Sequence, residues 1–186
     1  MGRKLGRSAE DTRRAILEAA AQEIRETGVQ ASIDQIAQRA GVSKGGLKYH
    51  FASKNDLLRA LAENLLEGFR AAVVERAAGN TATGSFTRAY VSARLFPDPE
   101  DVLARQDLVL IAMLSTLPNI EELAHEDAVW WDEALANDGL PPSVYEVAMA
   151  AADGAACASA LGSNGGEDAL RRLSKHLETL IDAAQH

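Results

Sequence analysis

The sequence predicts an all-α protein of about nine helices, with a three-helix helix-turn-helix head at the N-terminus followed by a larger helical body. Three observations predict it. Helix caps and stops recur at short intervals, and the apolar residues between them repeat at three- and four-residue steps. No segment carries the two-residue alternation of a half-buried strand, and there are no repeats or low-complexity tracts. With 186 residues, 47% of them hydrophobic, the chain can bury one or two cores.

The elements follow in order. Ser8 with Asp11 has capping-box spacing, Ile16, Ala19, Ala20 and Ile24 share a face, and Gly28 is a stop, giving a helix over roughly 10–27. Ser32 with Gln35 opens a two-turn helix carrying Ile33, Ile36, Ala37 and Ala40, ended by Gly41. Ser43 caps a third short helix, and Ala40-Gly41-Val42 between the two has helix-turn-helix spacing, with glycine free to turn left-handed. Ser53 with Asp56 caps a fourth, in which Leu57, Leu58, Leu61, Leu65, Phe69 and Val73 run at helical spacing to about residue 78. A fifth helix spans TGSFTRAYVSARLF and stops at the FPDPED corner. Asp98 and Pro99 fit the cap and first position of a sixth, over about 99–117. Asn119 is placed to cap a seventh through Ala136, NDGLPPS is a loop, and two helices over about 142–161 and 167–184 flank GSNGG. The division into domains falls at 1–56 and 57–186.

The formal net charge is −8, but it is unevenly spread. Residues 1–60 hold eleven Lys/Arg against seven Asp/Glu, whereas the remainder holds eight against twenty. A basic head on an acidic body points to a polyanion-binding unit joined to something with a different task. Arg3, Lys4 and Arg7 form a basic arm ahead of the first cap, placed either to reach DNA or to serve as a solubilising tail. The N-terminal stretch lacks the apolar run of a secretory signal, and no uninterrupted apolar run is long enough to span a bilayer, so the expectation is a cytoplasmic protein with no membrane partner. Cys157 is the one cysteine, which excludes a disulfide framework and any multi-cysteine metal site; its small apolar setting reads as structural.

The stretch SIDQIAQRAGVSKGGLKYHFASKNDLL, residues 32–58, carries Ser32, Ile36-Ala37, Ala40 to Ser43, Tyr49 to Phe51 and Ser53-Lys54. In that order they resemble the DNA-binding region of the tetracycline-repressor (TetR) family of bacterial transcriptional regulators, over about 45 residues. The resemblance implies an all-α homodimer that binds double-stranded operator DNA through the head and a small-molecule effector through the body. It also implies that Tyr49 and His50 donate to phosphates. Many members carry Thr or Ser at the position of Gly46 and an aromatic residue at that of Lys48, so base preference does not carry over.

Residue chemistry supports the same site independently. Helix N-termini attract phosphate oxygens, and Ser32, Ser43 and Lys54 stand at three of them. Lys44 and Lys48, four apart, share a helical face from which a lysine reaches a guanine edge or a phosphate. Gly45 and Gly46 between them each destabilise a helix by about 1 kcal/mol relative to alanine. Their presence is explained if the backbone itself docks closely on DNA, and on an exposed helix Gly46→Ala is then expected to stabilise the fold.

In the body, Leu66, Phe69, Tyr90, Met113, Trp130, Tyr145 and Met149 are the large side chains available to line an effector pocket. Trp130 and Trp131, as helical neighbours, cannot both face it. The penultimate helix is crowded with Ala, Gly and Ser, and Leu170, Leu173, Leu177, Leu180 and Ile181 form a seam on the last, so that two such hairpins would make a four-helix dimer interface. Catalytic and metal-ligand spacings are missing: the histidines form no H-x-x-x-H pair, and no G-x-S-x-G or phosphate loop occurs, so no metal, cofactor or catalytic residue is expected. The reading is a homodimeric repressor released from a palindromic operator by a small apolar ligand. The alternative is a DNA-binding regulator whose acidic body binds a protein partner, distinguished by a solid core and an exposed patch in place of a cavity.

Overall fold

A computed structural model of the chain describes residues 8–97, 107–162 and 165–185. Among these residues the chain forms nine α-helices and no strand: α1 (Ala9–Thr27), α2 (Ile33–Ala40), α3 (Lys44–His50), α4 (Lys54–Ala77), α5 (Ser85–Leu95), α6 (Asp107–Leu114), α7 (Pro118–Ala136), α8 (Pro142–Ala160) and α9 (Glu167–Ala183).

The local signals at the head act as their spacing predicts. Ser8 and Asp11, and Ser32 and Gln35, make reciprocal capping boxes, which satisfy backbone N–H groups that a helix start leaves unpaired. Ser43 Oγ accepts from the Gly46 amide and Ser53 Oγ from that of Asp56. Gly41 closes α2 in the left-handed conformation, φ 70° and ψ 32°, donating back to Ala37 and Gln38.

Two starts differ from expectation or escape it. The seventh helix begins at Pro118, one residue before the expected cap at Asn119; Leu117 is its N-cap, with no side-chain bond. Proline suits the first helical position because its fixed φ is already helical and its missing N–H would have gone unpaired. Asn119 instead reaches the Asn55 carbonyl at the start of α4. The expected cap at Asp98 and Pro99, and the basic arm, lie outside the described residues.

Two apolar cores form. The first gathers Ile16, Ala20 and Ile24 of α1, Ile36 of α2, Leu47 of α3 and Leu57, Leu58 and Leu61 of α4, together with Leu110, Leu114 and Ile120 from α6 and α7. The second gathers Val73, Tyr90, Trp131, Leu135, Ala148, Leu177 and Ile181 from α4, α5, α7, α8 and α9. Division at residue 56 falls within the first turn of α4, and Leu57, Leu58, Ala60, Leu61, Ala62 and Leu65 beyond it are packed into the head's core.

At the base of the second core, Asp138 in the α7–α8 loop accepts from the amides of Phe86 and Thr87 and from the Thr87 hydroxyl, so an aspartate from another segment holds the first turn of α5. Gly84, just ahead of it, has φ 78°, and a Cβ there would stand 2.7 Å from Ile181 Cγ2 and 3.2 Å from Leu140 Cδ1. Gly84→Ala is expected to lower stability by about 2–4 kcal/mol, combining left-handed strain with overpacking. Gly68→Ala, inside α4 with open space around its Cβ, should raise it by about 0.5–1 kcal/mol. Urea unfolding checks both; equal effects would remove the packing argument.

Candidate nucleic-acid interface and effector cavity

The short helix α3 is held from below and free above. Leu47 is fully buried, and Phe51 at its C-cap lies beneath the Arg13 guanidinium of α1, 5.1 Å from the ring centroid. Lys44, Gly45, Lys48 and Tyr49 face outward, Tyr49 with 83% of its surface exposed and its ring edge-on to His50 at 5.3 Å. Gly45 and Gly46 are helical, and the cap at Ser43 organises the turn that contains them.

Most of the head's cations already have partners. Arg39 binds both Glu23 and Glu26, and its hydrogen bond holds the Glu26 carboxyl below the usual carboxylate range. Glu23 is one of two buried charged residues, with Asp127, among the described residues, and its ion pair ties α1 to α2. Lys44 pairs with Asp34 on α2 at 2.9 Å. Lys54 donates to the Val29 carbonyl at 2.8 Å, bridging the start of α4 to the α1–α2 loop. Lys48 has no such partner among the described residues and projects from the exposed face of α3.

A cavity of about 260 Å³ lies where the two cores meet. Phe69, Tyr90 and Trp131 give it aromatic walls, and Leu65, Leu66, Ile111 and Met149 aliphatic ones. Four of its polar groups are paired with one another or with neighbours: Tyr90 donates to Asp153 at 2.8 Å, Arg94 pairs with the same carboxylate, and Asp127 accepts from Arg70 and, at 3.0 Å, from Trp131 Nε1. Burial pushes the Tyr90 hydroxyl well above its usual range, which keeps it protonated and donating.

The model of the family described as bacterial regulatory proteins, tetR family, matches residues 16–61, and that of a tetracyclin repressor-like C-terminal domain matches residues 84–182, over half of the chain. The chain belongs to the TetR family. Over 62 residues it is 42% identical to the HTH-type transcriptional regulator SrpR of Pseudomonas putida, a match covering 33% of this chain and 29% of that protein. Its whole fold is similar to a transcriptional regulator from Rhodococcus sp. Rha1, with a TM-score of 0.72, 20% identity and coverage of 94% and 98% of the two chains. It is also similar to the multidrug binding protein EbrR complexed with malachite green, with a TM-score of 0.67, 24% identity and coverage of 91% and 97%.

Within this TetR-family frame, Ser32, Ser43, Lys44, Gly45, Gly46, Lys48, Tyr49, His50 and Lys54 gather on α2, α3, the start of α4 and their caps. Of the side chains expected to line the pocket, Leu66, Phe69, Tyr90 and Met149 do so. Met113 packs on the first core, Tyr145 is buried in the second, and Trp130 lies under Arg70, 4.6 Å from ring centroid to guanidinium. Trp131 takes the cavity wall in its place. Asp127, Asp132, Asp153 and Arg94 escaped the sequence reading because it sought large apolar residues, and the ion pairs that bring the charges inward join residues 57 and 59 apart. No local spacing signals such pairs.

The seam on α9 also resolves differently. Leu177 and Ile181 are buried in the chain's own second core, and Leu170, Leu173 and Leu180 pack partly buried against it. An exposed apolar stripe lies on α8, where Val147, Ala150 and Gly154 recur at three- and four-residue steps, and Leu161, at the C-cap, continues it seven residues on.

The geometry of α3 also corrects the expectation for its glycines. A Cβ on Gly46 would stand 3.3 Å from Ser43 Oγ, the atom that caps the helix, whereas one on Gly45 would meet it at 3.9 Å. Gly45→Ala should therefore stabilise the head by about 0.5–1 kcal/mol. Gly46→Ala should gain little, since loss of a cap costs about 1 kcal/mol. Thermal unfolding of the two variants decides this; the reverse order would sink the account.

Proposed function

We propose that the chain is a homodimeric transcriptional repressor that leaves a palindromic operator when a small molecule fills the cavity. The observation that carries the reading is α4. Its first half is packed into the core beneath α3, with Leu65 reaching the cavity wall, and its second half supplies Leu66 and Phe69 to the same wall. A ligand that alters packing around Phe69 acts on the helix that positions the DNA-reading face, which gives the two sites a shared rigid element. A partly open cavity with aromatic and aliphatic walls in the body, in preference to a solid core with an exposed patch, favours a small effector over a protein partner.

Lys48 and Tyr49, exposed on α3, are the proposed groove-facing residues, and Lys44 becomes available when DNA phosphates compete with Asp34. Ser32 and Ser43 at the two caps, with His50 and Lys54, frame the phosphate contacts. Lys48→Ala is expected to relax preference at one operator position by about 1–3 kcal/mol. Lys54→Ala should weaken all sequences alike. Fluorescence anisotropy on an operator and its single-base variants measures this, and a uniform loss for Lys48→Ala would reduce Lys48 to a backbone contact.

The dimer is proposed to form through the small-residue stripe on α8, with Leu173 and Leu180 of α9 at its edge. Gly154 has open space around its Cβ in the single chain, so Gly154→Arg should fold normally yet block a helix from approaching. Sedimentation should find it monomeric with unchanged helicity. An intact dimer at micromolar concentration would place the interface elsewhere.

A further inference from the structure

We propose that the cavity takes a monocationic amphiphile, an aromatic or alicyclic amine or quaternary ammonium, with its charge held by Asp132 at the mouth and its ring among Phe69, Tyr90 and Trp131. The inference rests on the reading of this cavity as a ligand site and adds the ligand's charge.

Three carboxylates line the cavity, those of Asp127, Asp132 and Asp153, against one guanidinium, that of Arg94. Two of the three are already neutralised: Arg94 holds Asp153, and Arg70, from outside the lining, holds Asp127. Asp132 is exposed at the rim and has no ion pair or hydrogen bond among the described residues. The helix that bears it reinforces its field, because α7 carries Glu121, Glu122, Glu126, Asp127, Asp132 and Glu133 and no Lys or Arg. An incoming cation meets an unbalanced negative charge; an incoming anion meets it too, and is repelled.

The one route for an anion would be to take Arg94. That guanidinium lies 3.5 Å from the Phe69 ring centroid and is largely enclosed, with its side chain 11% exposed. Drawing it to a ligand carboxylate would leave the partly exposed Asp153 with only the Tyr90 hydroxyl as partner and would break the contact with the Phe69 ring, so an anion would gain one ion pair at the loss of another. The same contact shows what the walls accept. The faces of Phe69 and, on the neighbouring rim, Trp130 already carry guanidinium groups, so this aromatic cluster is arranged to stabilise positive charge. Aromatic surface for the ring and an unpaired carboxylate at the entrance together fit a ligand with an apolar body and a cationic end.

The test is calorimetry on the full chain with one bicyclic ring in three charge states: 2-naphthylmethylammonium, 2-naphthylmethanol and 2-naphthoate. The cation is expected to bind about tenfold or more tighter than the anion, with the alcohol between them. Asp132→Asn should weaken the cation about fivefold, an exposed carboxylate being partly screened, and leave the alcohol within about twofold. The proposal is overturned if the anion binds as tightly as the cation, if Asp132→Asn weakens cation and alcohol equally, or if none of the three binds. Displacement of operator DNA by the cation is scored separately. A charge preference that depends on Asp132 supports the ligand class even where no DNA is released, and in that case it is the effector reading that fails.

Discussion

The structure depends on one helix being shared between two cores. α4 gives Leu57, Leu58, Leu61 and Leu65 to the core under the head and Val73 to the core of the body. Each fully buried leucine contributes about 1.5–3 kcal/mol of apolar burial, so the helix cannot be pulled from either core without a large loss. Where it passes from one to the other its side chains have no dense partner on one side, and the cavity opens there. The ion pair of Arg70 with Asp127 and the bond from Arg59 to the Asn119 carbonyl hold α7 against the same helix on either side of that gap. Void and linkage have the same origin, since a helix that must satisfy two cores leaves a seam between them.

What was legible in the sequence was local. Ser8 with Asp11, Ser32 with Gln35 and Ser53 with Asp56 act within one turn, so spacing alone reveals them, and Gly41 declares its turn because few other residues tolerate it. The stripe Leu57, Leu58, Leu61, Leu65 likewise announces a buried face. Which side of the chain a stripe faces is another matter. Leu177 and Ile181 had the pattern of a seam between subunits, and the fold uses them inside the monomer, because α5 presents a complementary face nearly a hundred residues earlier. Adjacent tryptophans show the same limit. Periodicity says that Trp130 and Trp131 diverge, but only the position of Arg70, on another helix, determines which one turns outward.

Charge followed composition at the scale of the domain and departed from it at the scale of the residue. The head is basic by count, yet Arg14, Arg39, Lys44 and Arg59 face carboxylates in their own neighbourhood. A surface of this kind is attracted to polyanions weakly and diffusely, and discrimination falls to the few side chains left unpaired. Lys48, one helical turn from Gly45 and next to the exposed Tyr49, is one of the head's cations without an ion pair among the described residues.

The contacts around Thr83 and Arg88 have a bearing on how the chain assembles. Arg88 binds Asp182, and the Gln185 amide donates to the Thr83 carbonyl, partners 94 and 102 residues apart, in the same corner where Asp138 fastens the start of α5. Contacts at such separation close large loops, whose entropy is lost before any contact energy is gained. The docking site for α9 exists only once α5 and the α7–α8 loop have met. Docking of this helix is therefore expected to be a late event in folding, while α1 to α3, whose mutual contacts are close in sequence, condense early. Pulse-labelled amide exchange during refolding would show protection in α1 to α3 preceding that in α9, with simultaneous protection excluding this order.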